Sequence, residues 1–254
     1  MSKFAIFGLG YTGLRILNTL QKDNTVLGVS RETKVEGSIL LDLSDPAALE
    51  NFRKENEGSG FDASLITFPV QKLANRDQVF DTIFSISKTV WMFGSTSIYQ
   101  RFSPDITEKT PLDPTHDRYE TELRFLERGG RILRLSGIYG PDRNPANWAR
   151  KGSVKKTKRQ LNLIHGDDIS EAVRLLLSYS GNDLPSELIL TDGQWHTWLE
   201  IFRFLEDHGK IQVVPEEKMD REDCFIDSGL IRKFLPGLQT KDFWGELEKL
   251  EELT

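Results

Sequence analysis

The sequence predicts an α/β protein: a doubly wound parallel sheet with a small C-terminal lobe. Three observations carry that expectation. The chain opens on a short apolar run, Phe4-Ala5-Ile6-Phe7, which passes into Gly8-x-Gly10-x-x-Gly13 and then into a helical pattern with Leu14, Leu17 and Leu20 at three-residue intervals. Short apolar runs then alternate with helix-length segments, and such alternation implies parallel strands joined by right-handed crossovers. Finally, glycine, serine, aspartate and arginine recur just beyond those runs, where an open parallel sheet binds its ligands.

The first element organises the rest. Strand, glycine turn and helix in that order is the setting a dinucleotide-binding fingerprint needs, so the expected sheet is of the Rossmann type. Gly8 allows the sharp turn off the strand, Gly10 lets the backbone approach a pyrophosphate, and Gly13 lets helix and strand pack closely. The pyrophosphate would sit on free N–H groups at the positive end of the helix, beside Tyr11 and Thr12. An ordinary glycine-rich βα turn with no ligand would have the same local pattern.

Thr25–Ser30 reads as strand two, with Arg31 directly after it. An acid there would accept from the ribose of NAD, whereas an arginine can pair with the 2′-phosphate of NADP. Ser30 and Arg31 therefore point to NADP, with NAD possible; Glu32 stands one step late, and a solvated surface arginine is the plain alternative. Ile39-Leu40-Leu41 is a short third strand ending at Asp42-Leu43, after which Ser44 or Asp45 caps a helix with Pro46 at its first position. Residues 62–69 form a fourth strand stopped by Pro69, residues 73–87 a helix, and 89–93 a fifth strand ending in Gly94-Ser95-Thr96-Ser97-Ile98-Tyr99. A loop with Pro104, Pro111 and Pro114 follows, then a helix over about 117–128 stopped by Gly129-Gly130, and a sixth strand over 131–136. Six basic side chains crowd 150–159; they read as a solvated loop or as a funnel for an anion. Leu161–Asp168 leads into a helix, 188–190 is strand seven, and 198–205 is helical. A short strand near 211–214 and helices near 228–235 and 241–252 complete the chain. The expected division is a dinucleotide-binding core over 1–145, its sheet completed by parts of 161–192, and a mostly helical substrate lobe over 146–254.

Bulk properties narrow the classes. The 254 residues carry a net charge of −6, which argues against broad nucleic-acid binding. No apolar run approaches the roughly 20 residues of a membrane span, and the chain enters a strand with no leader-like segment before it. Cys224 is the single cysteine, so no intrachain disulfide is possible and a reducing cytoplasm is expected. His116, His165, His196 and His208 share no short ligand spacing, so no metal site is expected. The expected partner is a small-molecule substrate, with the protein a monomer or homodimer.

Taken together, Gly8-x-Gly10-x-x-Gly13, Asp42-Leu43, Gly94–Tyr99, Arg134-Leu135-Ser136-Gly137-Ile138-Tyr139-Gly140-Pro141 and Ile164-His165-Gly166-Asp167-Asp168 resemble the extended and atypical short-chain dehydrogenase/reductases, the NAD-dependent epimerase/dehydratases. The resemblance implies that Asp42 contacts the adenine, Phe68-Pro69 line the cofactor cleft, Ser95 holds the catalytic serine position, and Ile138-Tyr139 pass near the nicotinamide. It also implies a Tyr-x-x-x-Lys pair, in which the lysine lowers the tyrosine pKa. The pair is missing. Tyr119 is followed four positions on by Leu123; aligned instead on Glu122, Pro114 takes the tyrosine position and Arg118 the lysine position. Two functions remain open. One is an NADP-dependent oxidoreductase or epimerase using Ser95 and Tyr119, with help from Arg118. The other is a catalytically inactive NADP-binding sensor or regulatory protein. A Tyr119 hydroxyl within reach of Ser95 would favour the enzyme.

Overall fold

The structure, a computed structural model, describes the chain apart from residues 33–34, 59, 102–104, 182, 220–222, 253–254 and the side chain of residue 252; Pro104 of the proline-rich loop lies outside the described residues. In order, the elements are β1 (Lys3–Phe7), α1 (Tyr11–Leu20), β2 (Thr25–Ser30), β3 (Ser38–Leu40), α2 (Pro46–Asn56), β4 (Ala63–Ile66), α3 (Arg76–Ile86), β5 (Val90–Ser95), β6 (Asp105–Ile106), α4 (Tyr119–Glu127), β7 (Arg131–Leu135) and β8 (Gly137–Tyr139). They continue as α5 (Pro145–Arg150), β9 (Gln160–Leu161), β10 (Leu163–His165), α6 (Gly166–Ser178), β11 (Glu187–Leu190), β12 (His196–Thr197), α7 (Trp198–Asp207), β13 (Phe225–Ile226), α8 (Gly229–Phe234) and α9 (Phe243–Glu252).

Seven strands form one sheet in the order β11-β7-β5-β4-β1-β2-β3, and every pairing in it is parallel. The alternation in β1 shows why helices cover both faces. Phe4 and Ile6 pack with Ile16 and Leu17 of α1 and Ile169 and Val173 of α6. Ala5 and Phe7 pack on the opposite side with Leu49 of α2, Phe80 of α3 and Phe125 of α4. Successive side chains of a strand point to opposite faces, so a strand apolar at every position needs a layer on each side. This is the doubly wound Rossmann architecture. β1 lies between β2 and β4, so the winding reverses there and a crevice opens beyond its carboxyl end.

Asp45 caps α2 by accepting from the Ala47 and Ala48 amides, with Pro46 at the first position. A third apolar cluster gathers Trp198, Ile201 and Leu205 of α7 with Phe243 and Leu247 of α9. One expected strand does not form. Residues 211–214 have no strand partner among the described residues; the Val214 amide donates to Glu206 Oε1 at 3.0 Å, and its carbonyl accepts from Lys156 Nζ at 2.9 Å. Side-chain bonds to α7 and to Lys156 take the place of a ladder. The basic segment over 150–159 is largely neutralised: Lys155, Lys156 and Lys158 pair with Glu217, Glu206 and Glu216, and Arg150 with Glu251. Among the described residues no helix is long and apolar enough to cross a membrane.

Candidate functional site

The three glycines of the first turn have different surroundings. Gly8 has φ +100°, a conformation L side chains rarely adopt. Its amide donates to the Val29 carbonyl at 2.8 Å, and its carbonyl accepts from Thr67 Oγ1 at 2.5 Å, which ties the ends of β1, β2 and β4 together. A Cβ on Gly13 would lie 1.9 Å from the Gly8 carbonyl oxygen, so helix and strand meet backbone to backbone there. A Cβ on Gly10 would meet nothing within 4 Å. Gly10 is also the N-cap of α1, with no side chain capping it, so the first helical amides are open to an anion. Thr12 is buried beside it. Tyr11 lies with Arg15 at 3.7 Å and Arg143 at 4.8 Å from its ring centre. Its hydroxyl donates to the Tyr139 carbonyl at 3.4 Å, and burial pushes its pKa up.

A cavity of about 470 Å³ opens beside this turn. Gly8 and Gly10 form one side, Ser30 and Arg31 the end of β2, Asp42 and Leu43 the segment after β3, and Phe68 and Pro69 the segment after β4. Asp42 accepts from the Ser44 amide at 2.9 Å and the Ser44 hydroxyl at 2.7 Å, which holds its carboxyl below the usual range. Arg31 donates to Glu32 through Nε at 2.9 Å and Nη2 at 2.5 Å, and both side chains are exposed.

A second cavity, about 310 Å³, lies beyond the carboxyl ends of β5 and β7. Ser95, Ser97 and Ser136 line it after β5 and β7, and Trp148, Arg159 and Trp198 line it from the later part of the chain. Ser95 Oγ is 2.8 Å from Ser97 Oγ and accepts from the Ser97 amide at 3.2 Å. Ser97 Oγ is 3.1 Å from His116 Nε2. His116 Nδ1 accepts from the Arg118 amide at 3.3 Å and lies 3.1 Å from Asp117 Oδ1. No sequence pattern singles out His116: it is a lone histidine in a loop, brought to Ser97 by the packing that precedes α4.

The other predicted residues are placed as follows. Tyr119 is the first residue of α4, half-buried, and lines neither of these two cavities; the hydroxyl bonded to Ser95 is that of Ser97. Arg118 Nη1 donates to the Phe93 carbonyl of β5 at 3.3 Å and lies 4.0 Å from Glu122. Glu122 is itself buried and paired with Arg134 of β7, which also pairs with Glu187 of β11. These bonds turn the Arg118–Glu122 face of α4 into the sheet. Ile138 is half-buried against the core. The Tyr139 ring is fully buried against His165 and Phe243, and its carbonyl accepts from Tyr11. His165 caps α6 by accepting from the Asp167 amide at 3.2 Å.

No protein-family model matches the chain. It is 25% identical over 211 residues to protein YeeZ of Escherichia coli strain K12, spanning 70% of this chain and 73% of the relative. Solved structures superpose over nearly its whole length. A protein of Methylobacillus flagellatus assigned to the NAD-dependent epimerase/dehydratases gives a TM-score of 0.77 at 20% identity, covering 99% of this chain and 98% of its own. The UDP-N-acetylglucosamine 4-epimerase of Bacillus cereus gives 0.77 at 14%, covering 100% and 99%. The UDP-glucuronic acid 4-epimerase of the same organism, solved with UDP-glucuronic acid and NAD, gives 0.76 at 13%, covering 99% and 100%. The fold is therefore that of the NAD-dependent epimerase/dehydratases.

Proposed function

We propose that the chain is an oxidoreductase or epimerase that uses NADP(H) on a small substrate bearing a hydroxyl or carbonyl group. The observation that carries this reading is the open backbone at Gly10, at the uncapped start of α1 and on the wall of the 470 Å³ cavity. The pyrophosphate would lie over Gly10 and the first amides of α1, which supply hydrogen bonds and the positive end of the helix dipole. The adenosine would fill the cavity, with Asp42 and Leu43 toward the base, Phe68 and Pro69 along the wall, and Ser30 and Arg31 toward the 2′-phosphate. Gly13 and Thr12 keep α1 close enough to make this cradle, and Tyr11 packs it against the backbone of Tyr139. Ser95, in the second cavity, would bond the substrate oxygen. When bound, the nicotinamide supplies or accepts the hydride. The NAD-bound epimerase of the same fold supports a nicotinamide dinucleotide as the ligand.

A second reading keeps the cofactor and gives up the chemistry: an NADP-binding sensor or regulator. The bond of Ser95 to Ser97 rather than to Tyr119, and the missing lysine, favour it. Calorimetry with NADP⁺ and NAD⁺ tests the shared premise. The expected result is binding of both, with NADP⁺ tighter by about tenfold or more; a wild type that binds neither sinks both readings. NADPH oxidation against aldehydes, ketones and keto-sugars then separates enzyme from sensor.

A further inference from the structure

We propose that His116 is the proton source of the second cavity, acting through Ser97 on Ser95; the proposal rests on the oxidoreductase reading above. The three side chains form one hydrogen-bonded line, 2.8 Å from Ser95 to Ser97 and 3.1 Å from Ser97 to His116 Nε2. Its direction follows from the donors. Ser95 Oγ accepts from the Ser97 amide; when Nε2–H donates to Ser97 Oγ, the Ser97 hydroxyl is left to donate to Ser95, and the Ser95 proton is left for an oxygen in the cavity. His116 has a partner for both of its charge states. With its only proton on Nε2, the ring accepts at Nδ1 from the Arg118 amide; with a proton on Nδ1, that N–H donates to the Asp117 carboxylate 3.1 Å away. The Asp117 carboxylate lies 3.1 Å from Nδ1, and Asp113 is close enough to interact with the ring.

The line answers the chemical difficulty left by the missing lysine. An unassisted tyrosine titrates near 10 and is a weak acid–base partner at neutral pH. Imidazole is the side chain whose ordinary titration falls between about pH 5 and 8. In the reductive direction the substrate carbon gains hydride from a reduced nicotinamide dinucleotide as its C=O π bond breaks. The oxygen takes the Ser95 proton, Ser95 takes that of Ser97, and Ser97 takes that of His116 Nε2. The imidazolium ends as neutral imidazole with its remaining proton on Nδ1, held by Asp117. One hydride and one proton have been transferred, and the serines end as they began. Oxidation runs the same steps in reverse.

The test uses the full-length protein with His116→Gln and Ser97→Ala, each checked by circular dichroism and calorimetry for retained fold and NADP⁺ binding. Ring-nitrogen NMR of the ligand-free protein comes first: Ser97→Ala should move the His116 Nε2 resonance and leave those of His165, His196 and His208 in place. Single-turnover NADPH oxidation against pH comes second. Wild type should lose rate as pH rises, and both variants should be slower by about 10²–10⁴ with that limb gone. An unmoved His116 resonance in Ser97→Ala overturns the relay. So does turnover that His116→Gln leaves intact in rate and pH profile, or a Tyr119→Phe loss of that size with none in His116→Gln. Binding without turnover overturns the relay and leaves the dinucleotide site standing, whereas absence of binding overturns the underlying reading.

Discussion

Arg31 and Glu32 stand side by side at the rim of the larger cavity, their side chains 69% and 74% exposed and bonded to each other. A 2′-phosphate would have to take the guanidinium away from Glu32, and the carboxylate beside it would repel the same phosphate. Arg31→Ala should therefore erase the preference for NADP⁺, and Glu32→Gln should strengthen NADP⁺ binding while changing NAD⁺ binding little. Both are read by calorimetry at moderate salt, since exposed charges are screened within about 8 Å at physiological ionic strength. Weaker NADP⁺ binding by Glu32→Gln would contradict the assignment of Arg31. At this scale the sequence was legible where the backbone itself makes the site. Gly8, Gly10 and Asp42 are set by their distance from a strand end and line one cavity, and Gly13 packs α1 against the Gly8 backbone behind it. His116 was not legible. Its contact with Ser97 spans 19 residues and depends on how the loop before α4 packs against the end of β5, which no local pattern encodes.

The junction of β1 and α1 offers a sharper test, because two glycines three residues apart, Gly10 and Gly13, do opposite jobs. A methyl group on Gly13 would be driven into the Gly8 carbonyl oxygen at 1.9 Å. Backbone cannot swing aside as a flexible side chain can, so helix and strand must separate. Gly13→Ala should cost at least the 1–3 kcal/mol or so typical of overpacking. Gly10→Val meets open space and loses only a favourable cap residue, about 1 kcal/mol or less, yet it should abolish dinucleotide binding. Thermal melts and calorimetry on the two variants check the contrast. A Gly13→Ala protein that melts with wild type would remove the close approach, and a Gly10→Val protein that still binds would remove the pyrophosphate cradle. Elements of this kind were legible because short apolar runs and capped helices have local causes, as at Asp45 and Pro46. The strand expected at 211–214 failed for the complementary reason. An apolar run becomes a strand only beside a free strand edge, and Val214 meets Glu206 and Lys156 instead.

The sheet and the C-terminal helices are joined through buried polar groups whose charge depends on pH. Asp192, just past β11, takes part in several of these contacts. Its amide donates to the Leu163 carbonyl of β10 at 2.8 Å. Its carbonyl accepts from Arg232 of α8 at 3.0 Å and from Thr240 at 2.9 Å. Its carboxylate accepts from the amide of Gln194 at 2.9 Å, whose side chain in turn holds Lys241 and Phe243 at the start of α9. Burial first, and the nearby Asp168 carboxylate after it, push the Asp192 pKa up to about 7. Burial likewise pushes Asp168 up to about 6, although the Lys241 amide donates to it. Both folded values exceed the ordinary aspartate value of about 3.9. The stability these acids contribute is therefore complete below about pH 4 and lost as pH rises through 6 and 7, where the folded state still holds protons that the unfolded state has released. Asp192→Asn keeps an oxygen for the Gln194 amide and removes the charge. It should melt above wild type at pH 8 by roughly 5 °C or more, given about 2–4 °C per kcal/mol for a chain of this size, and the gap should close toward pH 4. Calorimetric melts from pH 4 to 8 measure it. A gap that does not change with pH, or a variant less stable than wild type at pH 8, would mean that the Asp192 carboxylate is solvated or ion-paired in the folded protein, with no buried charge at this position.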